Sequence, residues 1–337
     1  MHTTAAGATQ RSFNPKHLVV RLGRTHPEFG VIAIALLLVI VFSSTSGGYW
    51  MSAYNISSVL QVTATLGLMA MGVSLVIGAG HIDISVGSVF GIAALIYLGT
   101  SATIGVVPAA LLAVVAAAAI GVMNGFLVAK LNIPSLIVTL GSLFIFRGLA
   151  IALTEGFSFS VPYDERGNLV FQALGGANVF GLNTAVFWAL AVLIVLHVII
   201  FWTVAGNRLL AVGGDAASAH SRGVRVGRVT WFAFIAAAAL AGFGGVLEAG
   251  KLGFADGSFG RLMELQAIAS CVLGGCLLTG GRISVIGTLV GAFVLSSIQS
   301  YLVVTGVQPQ WFILLLGAIV VLAALADRLF YSWLSRQ

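Results

Sequence analysis

Apolar runs of about twenty residues, broken by short stretches of Gly, Pro, Ser and basic residues, recur along nearly the whole chain. A membrane helix needs about 20 apolar residues. Reading by run length and breakers predicts spans at 27–46, 56–79, 84–101, 105–129, 134–154, 183–205, 229–249, 264–280, 283–305 and 309–327. The pattern thus predicts an all-α membrane protein, a polytopic bundle of about ten transmembrane helices. Pro27, Pro134 and Pro309 fall at predicted helix starts, where a missing N–H costs least. The domain organisation is a polar tail over 1–28, one transmembrane domain over 29–328 and a short tail over 329–337. A cleaved signal peptide is disfavoured, because its basic region would be unusually long and 43–48 is a weak cleavage site.

Composition agrees and narrows the field. Apolar and aromatic residues make up 59% of the 337 and charged residues only 8%, against about 25% charged in a soluble domain. A water-soluble globule is excluded, since polar side chains are too few to cover one. The net charge of +6 does not indicate nucleic acid, because the cations are dispersed. They report topology instead. With the N-terminus inside, the inner segments carry twelve cations (Arg11, Lys16, Arg21, Arg24, Lys130, Arg208, Arg222, Arg225, Arg228, Arg282, Arg328, Arg336) and the outer ones three (Arg166, Lys251, Arg261). The positive-inside rule then places both termini in the cytoplasm. Trp50, Trp188 and Trp311 at outer ends and Trp202, Trp231 and Trp333 at inner ends fit interfacial belts. Cys271 and Cys276, about 140° apart on one helix, read as packing residues, neither a disulfide nor a metal pair.

One internal similarity appears at an offset of 200 residues. Gly80 and the string from Val86 to Gly91 match Gly280 and the string from Ile286 to Gly291. Each copy would descend, turn at the inner side and rise again. The shared Gly-x-x-x-Gly, with Gly121/Gly125 as a third case, lets helix backbones approach closely in lipid.

The chemistry is sparse. No phosphate-binding loop, His-Glu-x-x-His, Cys-x-x-Cys or Gly-x-Ser-x-Gly is present, so neither ATP hydrolysis by this chain, a metal site nor a hydrolase is supported. Ionisable groups at membrane depth are functional candidates by default, and these are Asp83, Arg147, His197 and Glu248. Asp83 lies in the polar interruption Gly-Ala-Gly-His-Ile-Asp-Ile-Ser-Val-Gly over 78–87. It either caps a helix starting at Ile84 or lines a polar pathway with His81 and Ser85, and capping is the favoured reading. Arg147 falls past the midplane and either snorkels to the outer interface or faces a vestibule. Glu248, near the outer end of its span, would reach water. His197, with no polar neighbours in sequence, reads as a neutral histidine hydrogen-bonded to another helix. These four do not make the charge-paired chain of a proton-coupled carrier. Small and polar groups available to a pathway are Asp83, Ser85, Asn124, Ser142, Arg147, Gln266 and Ser270.

The inner segment 206–228 carries the clearest local signal. Asp215 can cap a short helix over 216–221 that Gly223 terminates. A capped, small-residue helix in a basic loop suits docking into a partner's groove; the bland alternative is a helical turn in an ordinary basic inner loop.

Taken together, 80–88, 131–148, 212–228 and 264–291, the last with its Val-Leu-Gly-Gly and Gly-Gly-Arg, resemble the membrane-spanning permease subunits of bacterial ABC importers for ribose, xylose and related monosaccharides. The resemblance covers about 49–328. His81 and Gln266 depart from the family pattern, where a glycine and often an acidic residue stand. The resemblance implies a monosaccharide pathway formed with a second copy of the chain or a close relative. It also implies a separate ATPase subunit beneath, holding the ATP and Mg, with no cofactor on this chain, and a periplasmic sugar-binding protein above. Coupling to the ATPase would pass through Asp215, Ala216, Ala217, Ser218, His220 and Ser221. The outer segments 155–182 and 250–263, the latter with Lys251, Asp256 and Arg261, would receive the binding protein. The alternatives are an ABC permease for branched-chain amino acids or another small solute, and a stand-alone carrier or channel, for which the buried charges are too sparse.

Overall fold

The computed structural model describes residues 28–160, 167–308 and 310–334. Helices α1 (Glu28–Thr45), α2 (Ala53–Gly78), α3 (Val86–Ile104), α4 (Val106–Ala129) and α5 (Ser135–Thr154) follow one another with short connections. A longer segment with strands β1 (Phe159–Ser160), β2 (Asn178–Val179) and β3 (Leu182–Asn183) leads to α6 (Thr184–Trp202), α7 (Val204–Gly214), α8 (Ala216–Ser221) and α9 (Val226–Leu252). Strand β4 (Phe254–Ala255) and helices α10 (Met263–Leu273), α11 (Val285–Val304) and α12 (Gln310–Leu334) follow. Strand β1 pairs with β4 and β2 with β3, both antiparallel. The expected tail over 1–27, with Pro27, and Pro309 and Arg166 lie outside the described residues, as do the side chains of Arg328, Trp333 and Arg336.

Among the described residues eight helices are long and apolar enough to cross a bilayer. The chain is an all-α polytopic membrane protein. Helix α2 forms the axis, buried continuously from Thr63 to Gly78. Helices α9, α11 and α10 pack around it. Helix α9 reaches α3 and α4 through small residues such as Ala238, Gly242 and Gly245, which admit close backbone approach where lipid offers no hydrophobic drive. Helices α1, α5 and α6 leave most of their apolar surface outward, for lipid or another chain.

The expected span 264–280 is the main correction. Only Met263–Leu273 is helical, about 16 Å of rise, half of the ~30 Å hydrocarbon. The cause is Gly275, which takes φ +89° and ends the helix in a Schellman motif, with Gly275 N–H donating to Val272 and Cys276 N–H to Cys271. Cys276 therefore leaves the helix, and the 140° separation from Cys271 does not hold. Both cysteines are buried and free; Cys271 Sγ donates to the Ala70 carbonyl and Cys276 Sγ lies 3.4 Å from Thr288 Oγ1.

The segment before α10 is also irregular. Ala255 pairs with Phe159, whose ring lies against Gly99 near the end of α3. Phe259 and Gly260 lie against Gly91 and Gly87, toward its start. Residues 255–260 thus run along α3 over about 18 Å of its length. Gly87 and Gly91 face the backbone of this segment together with the side chains of Glu264 and Arg147, whereas Gly287 and Gly291 meet α10 near Gly274 and Ser270, and Gly121 and Gly125 meet α9.

The two similar copies touch. Gly80 closes α2 as a second Schellman glycine, with His81 N–H bonded to Val76 and Gly80 N–H to Ile77. Gly281 N–H donates to the Gly78 carbonyl at 3.2 Å. Between them sits Gly213, the penultimate residue of α7, where a Cβ would fall 1.9 Å from the Gly78 oxygen and 2.5 Å from the Gly281 nitrogen. Three backbones share one contact point, and no side chain fits there.

Gly213→Ala is expected to cost about 1–3 kcal/mol by overpacking, lowering the thermal midpoint of the detergent-purified protein. Gly214→Ala is the control, because nothing lies within 4 Å of its added Cβ. Equal melting of the two variants would remove the junction from the account.

Candidate translocation pathway and coupling helix

The seven pathway candidates divide into locked and unlocked groups. Asp83 Oδ1 accepts from Ser85 N–H at 2.8 Å and from Ser85 Oγ at 2.6 Å. Asn124 Nδ2, on α4, donates to Ser85 Oγ at 2.9 Å. All three residues are 1% exposed. Helix α3 starts at Val86, not Ile84, and Asp83 orders the turn before it instead of capping its first N–H groups. The trio is a closed network tying the start of α3 to α4, with Asn124 Oδ1 left unpaired. His81 is half-buried, its ring 6.1 Å from that of Phe234. Ser270 is fully buried and donates to the Gln266 carbonyl on its own helix, while Gln266 itself is half-buried.

The unlocked groups gather along α3. Arg147 Nη1 donates to the Phe259 carbonyl, beside Gly91. Its Nη2 is buried with no partner. One turn earlier Gly87 makes room for the Glu264 carboxylate, whose Oε2 is also buried and unpaired. Arg147 neither snorkels outward nor closes an ion pair with Glu264, so a donor and an acceptor remain free near mid-depth, where unpaired polar groups are expensive. Ser142, one and a half turns before Arg147, is buried with a free Oγ. Glu264 is the residue that sequence reasoning missed. An acid in the first turn of a helix was visible, but the break that puts this first turn inside the bundle was not.

Two other ionisable groups add to the picture. Glu248 is half-buried, and its Oε2 accepts from Gln61 Nε2 at 2.7 Å and Thr65 Oγ1 at 2.8 Å, joining α9 to α2. The span ends later than apolar length suggests, at Leu252. His197 shows no hydrogen bond to another helix among the described residues: its Nδ1 is unpaired and its ring lies 4.8 Å from Phe201 on the same helix.

At the far end Lys251 is exposed, bordering a small polar niche with Tyr54, Ser57 and Asn178. Asp256 is taken up by its own turn, accepting from Ser258 N–H at 2.8 Å and Ser258 Oγ at 2.7 Å. Arg261 follows Gly260, which lies against Gly87 of α3, and is exposed. The β2–β3 hairpin turns through Phe180 and Gly181, both at positive φ, and Phe180 is 96% exposed. Trp50, expected in the interfacial belt, is fully buried, edge-on to Phe42.

The inner loop takes the expected shape. Asp215 accepts from the N–H groups of Ala217 and Ser218 at 3.0 and 3.1 Å and from Ser218 Oγ at 2.6 Å. Gly223, at φ +84°, ends α8. Ala216, Ala217, Ser218, His220 and Ser221 face outward, with Ala219 packed inward. The hydroxyl and N–H of Ser218, then the Ala217 N–H and nearby Arg222, hold the Asp215 carboxyl below the usual carboxylate range. Because the folded pKa is depressed, the cap is complete above the ordinary aspartate value and is lost as pH falls through the lower folded one. Amide protection at Ala217 and Ser218 should therefore persist into mild acid in the native chain and be lost at every pH in Asp215→Ala. Equal protection in both would show the cap to be irrelevant.

Comparison with known proteins now bears on the whole arrangement. Residues 55–324 match the family described as branched-chain amino acid transport system / permease component. The galactose/methyl galactoside import permease protein MglC of Escherichia coli is 30% identical, covering 90% of this chain and 94% of its own. The ribose import permease protein RbsC of the same organism is 31% identical over 87% and 92%. A probable ABC transporter permease protein, y4mJ, of Sinorhizobium fredii is 32% identical over 96% and 95%. No solved structure matches significantly. An all-helical bundle with broken helices, no nucleotide-binding motif and this match along most of its length belongs to the ABC-importer permease components, a transport family and not an enzyme.

Proposed function

We propose that the chain forms the inner-membrane pathway for a monosaccharide, delivered by a periplasmic binding protein and driven by a separate ATPase. It is a multi-pass membrane protein. The observation that carries the mechanism is the position of Gly213. Helix α8 stands out from the basic end of the bundle, the cytoplasmic end by its cations. The residue two before its cap touches both Gly78 and Gly281. A push on α8 therefore acts on the end of α2 and on the loop between α10 and α11 together. ATP-driven movement of the partner would shift the populations of pathway states through that contact. The ATP and Mg belong to the ATPase; this chain offers them no phosphate loop.

Sugar cargo is favoured by relatives whose names give galactose, xylose and ribose. The unpaired guanidinium N–H of Arg147 and carboxylate oxygen of Glu264 suit hydroxyl groups, as donor and acceptor. With no dense aromatic surface around them, they would pass a sugar on without holding it tightly. Branched-chain amino acid cargo, named in the family description, is the second reading, and competition in uptake by free sugar or amino acid separates the two. The pathway would be completed by a second copy or a close relative, consistent with the apolar surface left on α5.

Ala217→Glu should leave ATP hydrolysis by the assembled transporter running while uptake falls about tenfold or more, a change of ~1.4 kcal/mol or greater in coupling. Wild-type uptake per ATP would remove the docking role. The opposite end would meet the binding protein through Phe180 and Lys251. Phe180→Ser and Lys251→Glu should each weaken stimulation at limiting binding protein, the second with a clear salt dependence. Unchanged stimulation in both would place the contact elsewhere.

A further inference from the structure

Helices α6 and α9 meet at one end and part toward the other. Trp188, near the start of α6, is edge-on to Phe243 of α9 at 5.4 Å. Toward the basic end a groove of about 700 Å³ opens between them, floored by Leu75 of α2. Its walls are apolar: Ile199 and Ile200 on α6, Phe232 and Ala236 on α9. Phe232 is 61% exposed, so the wall faces the surrounding lipid. At the basic end the lining changes abruptly to Arg208, Arg225 and Arg228. No acidic residue lines the groove, and no ion pair occupies any of the three among the described residues. Trp202, 79% exposed beside the groove, marks the level of the headgroups.

We propose that this groove is a binding site for an anionic phospholipid, with an acyl chain along α6 and α9 and its phosphate among Arg208, Arg225 and Arg228. Charge complementarity selects the headgroup, and basic pockets between membrane helices on the cytoplasmic side are the usual seat of anionic lipids. Apolar walls at membrane depth select a lipid over an acidic face of a soluble partner, which cannot reach them. The site has a consequence for the inner loop. Arg208 lies on α7, before α8, and Arg225 and Arg228 lie after it. One phosphate held by all three ties together the two limbs that carry α8.

The test uses the full chain in nanodiscs of phosphatidylcholine with a minority of phosphatidylglycerol, extracted into mild detergent, with retained lipid identified by native mass spectrometry. The native chain should keep phosphatidylglycerol over phosphatidylcholine. Each arginine near the surface contributes roughly fivefold to such binding and three about a hundredfold. The combined variant Arg208→Gln, Arg225→Gln, Arg228→Gln should lose the preference by about that factor. Arg222→Gln, an exposed cation that does not line the groove, should keep it. Ala236→Phe should displace the lipid while leaving all three charges in place, and inorganic phosphate should not compete. Equal retention of the two lipids overturns the proposal, as does undiminished retention in the triple variant. An equal loss in Arg222→Gln would mean a diffuse basic surface, competition by phosphate a free anion site, and a changed oligomer without a lipid preference a second copy in the groove; each of these also refutes it.

Discussion

A backbone amide or carbonyl left unpaired in hydrocarbon costs several kcal/mol, and this constraint shapes the molecule wherever a helix stops short. The chain breaks at 79–85, at 256–262 and at 274–284, and in each place another backbone or a polar side chain closes the gap. Gly281 bonds to Gly78, Asp83 bonds to the turn at Ser85, and the Phe259 carbonyl takes a proton donor from Arg147. Glycine recurs at these places because the closing partner is itself backbone, which has to come within a distance that a Cβ forbids. The junction at Gly78, Gly213 and Gly281 is the strictest case. It needs three segments, far apart in sequence, to arrive together.

What the sequence disclosed and what it hid follow from the same cause. Apolar length located eight of the ten expected spans to within three residues at each end, because lipid imposes a period and a length on each helix independently; the last helix begins at Gln310 as expected but runs to Leu334, seven residues beyond 327. Helix α8, with its Asp215 cap and Gly223 stop, was legible residue by residue because caps are local. Helix α10 was not, since composition reads 264–280 as continuously apolar and the Schellman turn at Gly275 is only one of many glycines in the chain. The error spread. With α10 short, the residues before it run down along α3, which brings Glu264 into the interior. Trp50 fails for a related reason: distance from a helix end says how deep a residue lies, not which side of the helix it faces.

Of the polar groups inside the bundle, most are fully used. Asp83, Ser85 and the amide nitrogen of Asn124 bond to each other, and Glu248 satisfies Gln61 and Thr65. Those contacts fix helices to one another, and a carboxylate that accepts two hydrogen bonds has little left to offer a solute. Arg147 and Glu264 stand apart because each keeps one unpaired atom next to the glycine face of α3. On the proposed function a passing solute would satisfy them. The locked residues came first to notice in the sequence because they sit in a conspicuous motif; the free ones lie where two irregular segments cross.

The proposed motor contact would let the pathway work without a coupling ion. A carrier that draws on an ion gradient needs titratable groups that exchange partners as it moves. On the proposed reading the force would enter at one end, through a six-residue helix whose stem shares backbone contact with the breaks at Gly78 and Gly281. Interfaces of this kind switch between discrete packings because close-packed backbone does not deform gradually. Moving Gly213 against Gly78 and Gly281 changes the seat of α2 and the approach to α11 in one step. The free donor and acceptor beside α3 need only be exposed to one side or the other by that step. Weak, unpaired polar groups are suited to such a path, for a solute bound tightly there would hold the bundle in one state.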